Sequence, residues 1–99
     1  MDSDIINKIK MLADSACKYF SFERVILYGS YSNNTNRPDS DIDVAFIVNE
    51  TNPNHWELSA KLYEIIDGID PRIEPIIINQ ITDKSGFANN IIKNGIIVN

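Results

Sequence analysis

Residues 41–48 read Asp-Ile-Asp-Val-Ala-Phe-Ile-Val, and no other stretch constrains the fold as strongly. After the two aspartates every position is apolar, so the run has no polar face to turn to water. A short segment of this kind is a strand covered on both faces, which places it in the middle of a sheet. Its mouth carries charge instead. Alternate strand residues share a face, so Asp41 and Asp43 project to one side about 6.5 Å apart. Like charges so placed are unfavourable unless something positive lies between them, and a hard cation with oxygen ligands such as Mg²⁺ meets that need. The plainer alternative is a pair of solvated aspartates at a strand end.

The rest of the chain supplies elements to pack around that strand. Residues 4–20 set Ile5, Ile9, Leu12, Ala13, Ala16 and Phe20 at helical spacing, with Asp2 or Ser3 as the N-cap. Residues 24–28, Arg-Val-Ile-Leu-Tyr, form a short buried strand that stops at Gly29. The stretch 32–40 is nearly all turn and loop formers, and is expected to be exposed and mobile without ligand. Thr51-Asn52-Pro53 reads as a helix start with proline in the first turn, and Leu58, Leu62, Ile65, Ile66 and Ile69 follow at helical spacing, with Gly68 as the stop.

Residues 72–78 give a third strand, where Pro75 favours a sheet edge and Arg72 is placed to pair with Glu74. A short helix over 85–93 turns Phe87, Ile91 and Ile92 inward and ends at Gly95, and 96–98 add a last short strand. The order α, β, β, α, β, α predicts an α+β domain, a small mixed sheet with helices packed on it, as a single domain over residues 1–99.

Composition narrows the function classes. Ninety-nine residues, 43% hydrophobic and 23% charged, are enough for one modest core, so a large acceptor would have to be held by another molecule. The net charge of −5 argues against clamping long nucleic acid through its phosphates, but allows a small nucleotide carried with magnesium. No apolar run approaches the roughly 20 residues of a membrane span, and Met1-Asp2-Ser3-Asp4 lacks the basic start of a signal peptide, so a cytoplasmic location is expected. Cys17 is the single cysteine, read as a small apolar helix residue. His55 reads as a surface or capping residue, and Trp56 and Tyr63 as core or interface residues.

Gly29-Ser30 follows a strand and leads into the loop that ends at the two aspartates. Glycine lets the backbone approach a phosphate closely, and the amides and hydroxyl after it can donate to phosphate oxygens. Tyr28 and Tyr31 flank the pair closely enough to touch a ligand. With Leu27-Tyr28-Gly29-Ser30, a ten-residue gap and then Asp41-Ile42-Asp43-Val44, the chain resembles the nucleotidyltransferases of the DNA polymerase beta superfamily. The resemblance implies a polymerase beta-like fold and a third carboxylate on a later strand, where Glu74 stands in Arg72-Ile73-Glu74-Pro75.

It further implies two Mg²⁺ ions held by Asp41, Asp43 and Glu74, or Glu74 acting instead as general base, with ATP or another nucleoside triphosphate bound at Gly29 and Ser30 and in-line transfer of a nucleoside monophosphate to an acceptor hydroxyl. Small stand-alone members resemble antitoxins that adenylylate a helical HEPN-type toxin, which implies such a protein partner here. An oligomer is compatible with this composition. One departure stands out. Minimal members continue Gly-Ser with a small residue, arginine and glycine, whereas this chain has Tyr31-Ser32-Asn33-Asn34. Arg37 in the same loop is the candidate replacement. The alternative function is a nucleotide-binding or interaction module that neutralises a partner by contact without turnover.

Overall fold

The apolar strand is central, as its composition requires. In the computed structural model, which describes residues 3–31, 37 and 40–99, β2 (Ile42–Val48) lies between β1 (Arg24–Tyr28) and β3 (Ile73–Asn79) in a sheet of order β3-β2-β1-β4, with β4 at Ile96–Ile97. β1 runs antiparallel to β2 and to β4, while β3 runs parallel to β2. The sheet is therefore mixed, and the parallel pair requires a crossover, which α2 (His55–Asp67) supplies. β3 is an edge strand, where the missing amide of Pro75 is tolerated.

Strand alternation sorts the side chains into two layers. Val25, Leu27, Ile42, Val44, Phe46 and Ile73 face one way, against α1 (Ser3–Ala16) and against Leu62 and Ile66 of α2. Ile26, Ala45 and Ile47 face the other way, against Ile91 of α3 (Phe87–Asn94). Two helices on one face and one on the other give the α+β architecture that the element order predicts. Phe20, Phe22 and Phe46 meet at 5.2–5.6 Å between ring centroids and close the first layer at the far end of β2.

Several local expectations are corrected. α1 ends at Ala16 rather than near Phe20, which packs from the connection after it. Cys17 is exposed in the turn beyond the helix, where its thiol donates to the Asp14 carbonyl at 3.1 Å. α1 begins at Ser3 itself, and Asp2, the other expected cap, lies outside the described residues. α2 begins at His55, two residues past Pro53, because the Asn54 amide bonds the Asn52 side chain at 2.8 Å and holds a turn there. Trp56 is 84% exposed and Tyr63 and Phe87 are each 47% exposed, so none of them is core. The expected mobility of the 32–40 loop falls largely outside the described residues.

Asp70, in the link between α2 and β3, is the buried acidic group that the apolar pattern could not announce. Lys8 of α1 donates to its Oδ2 at 2.9 Å, and Arg72 donates Nη2 at 2.7 Å, Nε at 3.1 Å and its backbone amide at 3.0 Å. The Arg72 hydrogen bond first, then those of Lys8 and the Arg72 amide, hold the carboxyl well below the usual carboxylate range against the opposing effect of burial. Arg72 therefore pairs with Asp70 and not with Glu74, because the turn at Pro71 folds it back onto Asp70.

Asp70→Asn should lower unfolding free energy by about 2 kcal/mol, a figure below that for fully buried pairs because both cations are partly exposed. A depressed folded-state value means that Asp70 stabilises fully above its unfolded value near pH 4, and that this contribution drains away as pH falls towards the folded value. Urea unfolding of both proteins at pH 7 and pH 3 checks it, since the gap between them must narrow in acid.

Candidate active site

Register carries two of the three predicted carboxylates to the same place. Tyr28 of β1 pairs with Asp43 of β2, and Asp43 pairs with Glu74 of β3, so the three side chains form one row across the sheet. The row lies on the α3 side, since Asp43 alternates with Ile42 and Val44, which face α1 and α2. Asp41 shares that parity but precedes the strand and is exposed, as is Glu74, whereas Asp43 is half-buried.

The groups of this row feel one another's charge. Burial, then the charge of Asp41, then that of Glu74 raise the Asp43 carboxyl above its ordinary value. Tyr28 is pushed up to about 12 by burial, by Asp43 and by Glu74 in that order. Tyr63, reaching from α2 around the sheet edge, donates its hydroxyl to Glu74 Oε2 at 3.3 Å. Among the described residues no three His, Cys, Asp or Glu side chains are gathered into a group that could hold a metal ion. The all-oxygen donor set, and the mutual repulsion registered at Asp43, fit a hard divalent cation.

Gly29 joins the Gly-Ser pair to this row. Its φ is 75°, the left-handed region that glycine enters without strain, and it opens a single 3-10 turn over Gly29–Tyr31. A Cβ at Gly29 would collide with the Asp43 carboxylate. Backbone and acid are thus in contact. Beside Gly29 lies a cleft of about 470 Å³ lined by Tyr28, Phe87, Asn90, Ile91, Asn94 and Gly95. The Tyr28 and Phe87 rings meet edge to face there at 6.1 Å. A second concavity of about 420 Å³, lined by Phe20, Phe22, Val48, His55, Leu58 and Ile77 among others, sits at the opposite end of β2 and touches none of Asp41, Asp43 and Glu74.

Arg37 is exposed. Its amide donates to Ser40 Oγ at 2.8 Å and its carbonyl accepts from the Ser40 amide at 3.0 Å, and among the described residues no carboxylate pairs with it. Asn33 lies outside the described residues. Sequence reasoning missed the Asp70, Lys8 and Arg72 cluster, whose only trace is an acid and an arginine flanking Pro71. It also missed the role of Tyr63, which no spacing rule ties to Glu74.

Over 61 residues the chain is 39% identical to the protein adenylyltransferase MntA of Shewanella oneidensis, a stretch that covers 60% of this chain and 42% of that protein. The chain thus spans less than half the length of that relative. A crystal structure of a toxin-antitoxin with AMP-PNP is 25% identical and superposes with a TM-score of 0.63 over 94% of this chain and 71% of that one. A mutant of the MntA-HpeT toxin-antitoxin pair, 23% identical, shares the fold at a TM-score of 0.60 with the same coverage. Residues 7–99 match the family Polymerase beta, Nucleotidyltransferase, and the chain belongs to that family.

Proposed function

We propose that the protein is a Mg²⁺-dependent adenylyltransferase that moves AMP from ATP to a hydroxyl of a partner protein, a helical HEPN-type toxin, in the cytoplasm. One observation carries the reading: Asp43 stands opposite Glu74 in register while the Gly29 backbone lies against the Asp43 carboxylate. The backbone that would receive phosphate thus lies against the acidic row. The kinship to a protein adenylyltransferase and to a toxin-antitoxin with AMP-PNP supports this choice of nucleotide and acceptor.

Each residue then has a task. The Gly29 and Ser30 backbone receives the triphosphate, with Arg37 as the loop cation in place of the arginine absent at Asn33. Asp41, Asp43 and Glu74 would hold two Mg²⁺ ions, which supply Lewis-acid polarisation of the triphosphate and of the acceptor oxygen. Glu74, exposed at the sheet edge, is open to an incoming acceptor and can take its proton. The acceptor oxygen bonds to the α-phosphorus, the bond to the leaving pyrophosphate breaks, and the acceptor carries AMP.

The cleft beside Gly29 suits the base, since the exposed Phe87 ring offers a stacking surface. Phe87→Ala should raise the KM for ATP about tenfold, the size of one lost base stack. Steady-state kinetics over a range of ATP concentrations tests it.

A second reading has a specific observation behind it. The arginine missing from the nucleotide loop favours a module that neutralises a partner by contact alone. Incubation with α-labelled ATP, Mg²⁺ and a HEPN-type partner separates the two. Label on the partner supports transfer, and partner inhibition with no label transferred supports contact.

A further inference from the structure

Arg72 bonds both the aspartate strand and the turn after Gly29 without belonging to the carboxylate row. Its carbonyl accepts the Ile42 amide at 2.9 Å, the residue between Asp41 and Asp43. Its Nη1 donates to the Tyr31 hydroxyl at 3.0 Å, two residues past Gly29. Glu74 follows two residues on, near the start of β3, which begins just after Arg72. The guanidinium plane is fixed by the fork of Nε and Nη2 on Asp70, which Lys8 anchors to α1.

We propose that Arg72 is a positioning residue that clamps the nucleotide loop to the aspartate strand through the Tyr31 hydroxyl, a role that rests on the nucleotidyl-transfer reading above. Tyr31 is only 5% exposed, so its ring is locked in the core and its hydroxyl is delivered to one point. That hydroxyl also lies 3.5 Å from the Arg37 carbonyl, further along the same loop. A planar fork can hold Asp70 with two nitrogens and still aim a third at Tyr31, which a lysine ammonium at the end of a flexible stem cannot do. The clamp thus sets where the Gly29–Tyr31 turn stands relative to Asp43. A purely structural role would stabilise the fold and leave nucleotide handling alone.

Tyr31→Phe removes only the hydroxyl and keeps the buried ring, so it avoids the folding risk of a truncation. It should raise the KM for Mg-ATP about tenfold, the loss of one hydrogen bond to a charged group, with a smaller change in kcat. Arg72→Lys, which also loses the fork on Asp70, should raise the KM likewise, and combining the two should add little to that KM, because the Tyr31 contact is lost in both. The same variants should speed amide hydrogen exchange at Tyr31 and Ile42. A KM at the wild-type value in Tyr31→Phe, or full rescue by lysine at position 72, overturns the clamp even if melting temperatures fall. If the wild type neither binds nor transfers the nucleotide, the adenylyltransferase reading fails by itself. Exchange then decides the clamp alone: faster exchange at both amides upholds it, and unchanged exchange overturns it.

Discussion

Asp43→Asn is expected to reduce adenylyl transfer about a thousandfold while making the metal-free protein slightly more stable, a pairing that few core substitutions produce. The loss follows from position, because the Asp43 carboxylate lies against the Gly29 backbone and stands in register with Glu74. The gain follows from electrostatics. Burial, Asp41 and Glu74 raise the Asp43 value in the folded state, so folding disfavours its ionised form. A raised folded value means that the protonated group's contribution is complete below the unfolded value and is lost as pH rises through the folded one. At neutral pH the ionised carboxylate therefore opposes folding, and asparagine removes that opposition.

Because the site is partly solvated, the increase in Tm should be small, about 2 °C. Mg²⁺ with ATP should raise the wild-type Tm by mass action and leave that of the variant nearly unchanged. Calorimetry at neutral pH with and without Mg-ATP, alongside label transfer, reads all three effects. Wild-type transfer by the variant would sink the assignment of Asp43.

What the sequence disclosed and what it hid differ by the kind of physics involved. The central position of β2 was legible because an all-apolar run has only one place to go, and the edge position of β3 because proline lacks a donor. The pairing of Asp43 with Glu74 was legible only through the family pattern, since nothing local fixes the register of strands joined by a helix. Hydrogen bonds between distant segments left no periodic trace. Lys8 meets Asp70 across 62 positions, and Arg72 meets Tyr31 across 41. Arg72 was misassigned to Glu74 for that reason: strand alternation pointed one way, and the turn after Asp70 bent the side chain the other. Phe87 and Tyr63 look like core residues by composition, yet each stands half-exposed at the site, which hydrophobicity cannot distinguish from burial.

Gly29→Ala offers the sharpest test of the contact between loop and acid, because the protein contains its own control. Gly29 and Gly86 both have positive φ, at 75° and 81°. Alanine in that region costs about 1–2 kcal/mol of backbone strain at either position. Only the surroundings differ. A Cβ at Gly86 meets nothing within 4 Å, whereas at Gly29 it strikes the Asp43 carboxylate. Gly86→Ala should therefore lower stability by about 1 kcal/mol and leave transfer within about twofold of wild type. Gly29→Ala must in addition displace either the Asp43 carboxylate or the turn that follows, and each shift separates the proposed phosphate-binding backbone from the acid. Its stability should fall by about 2 kcal/mol or more, and its transfer should approach the level of Asp43→Asn. Urea unfolding and label transfer on both variants supply the comparison. Equal transfer by the two alanine variants would mean that the Gly29 contact with Asp43 has no part in catalysis, and that the Gly-Ser turn serves the fold alone.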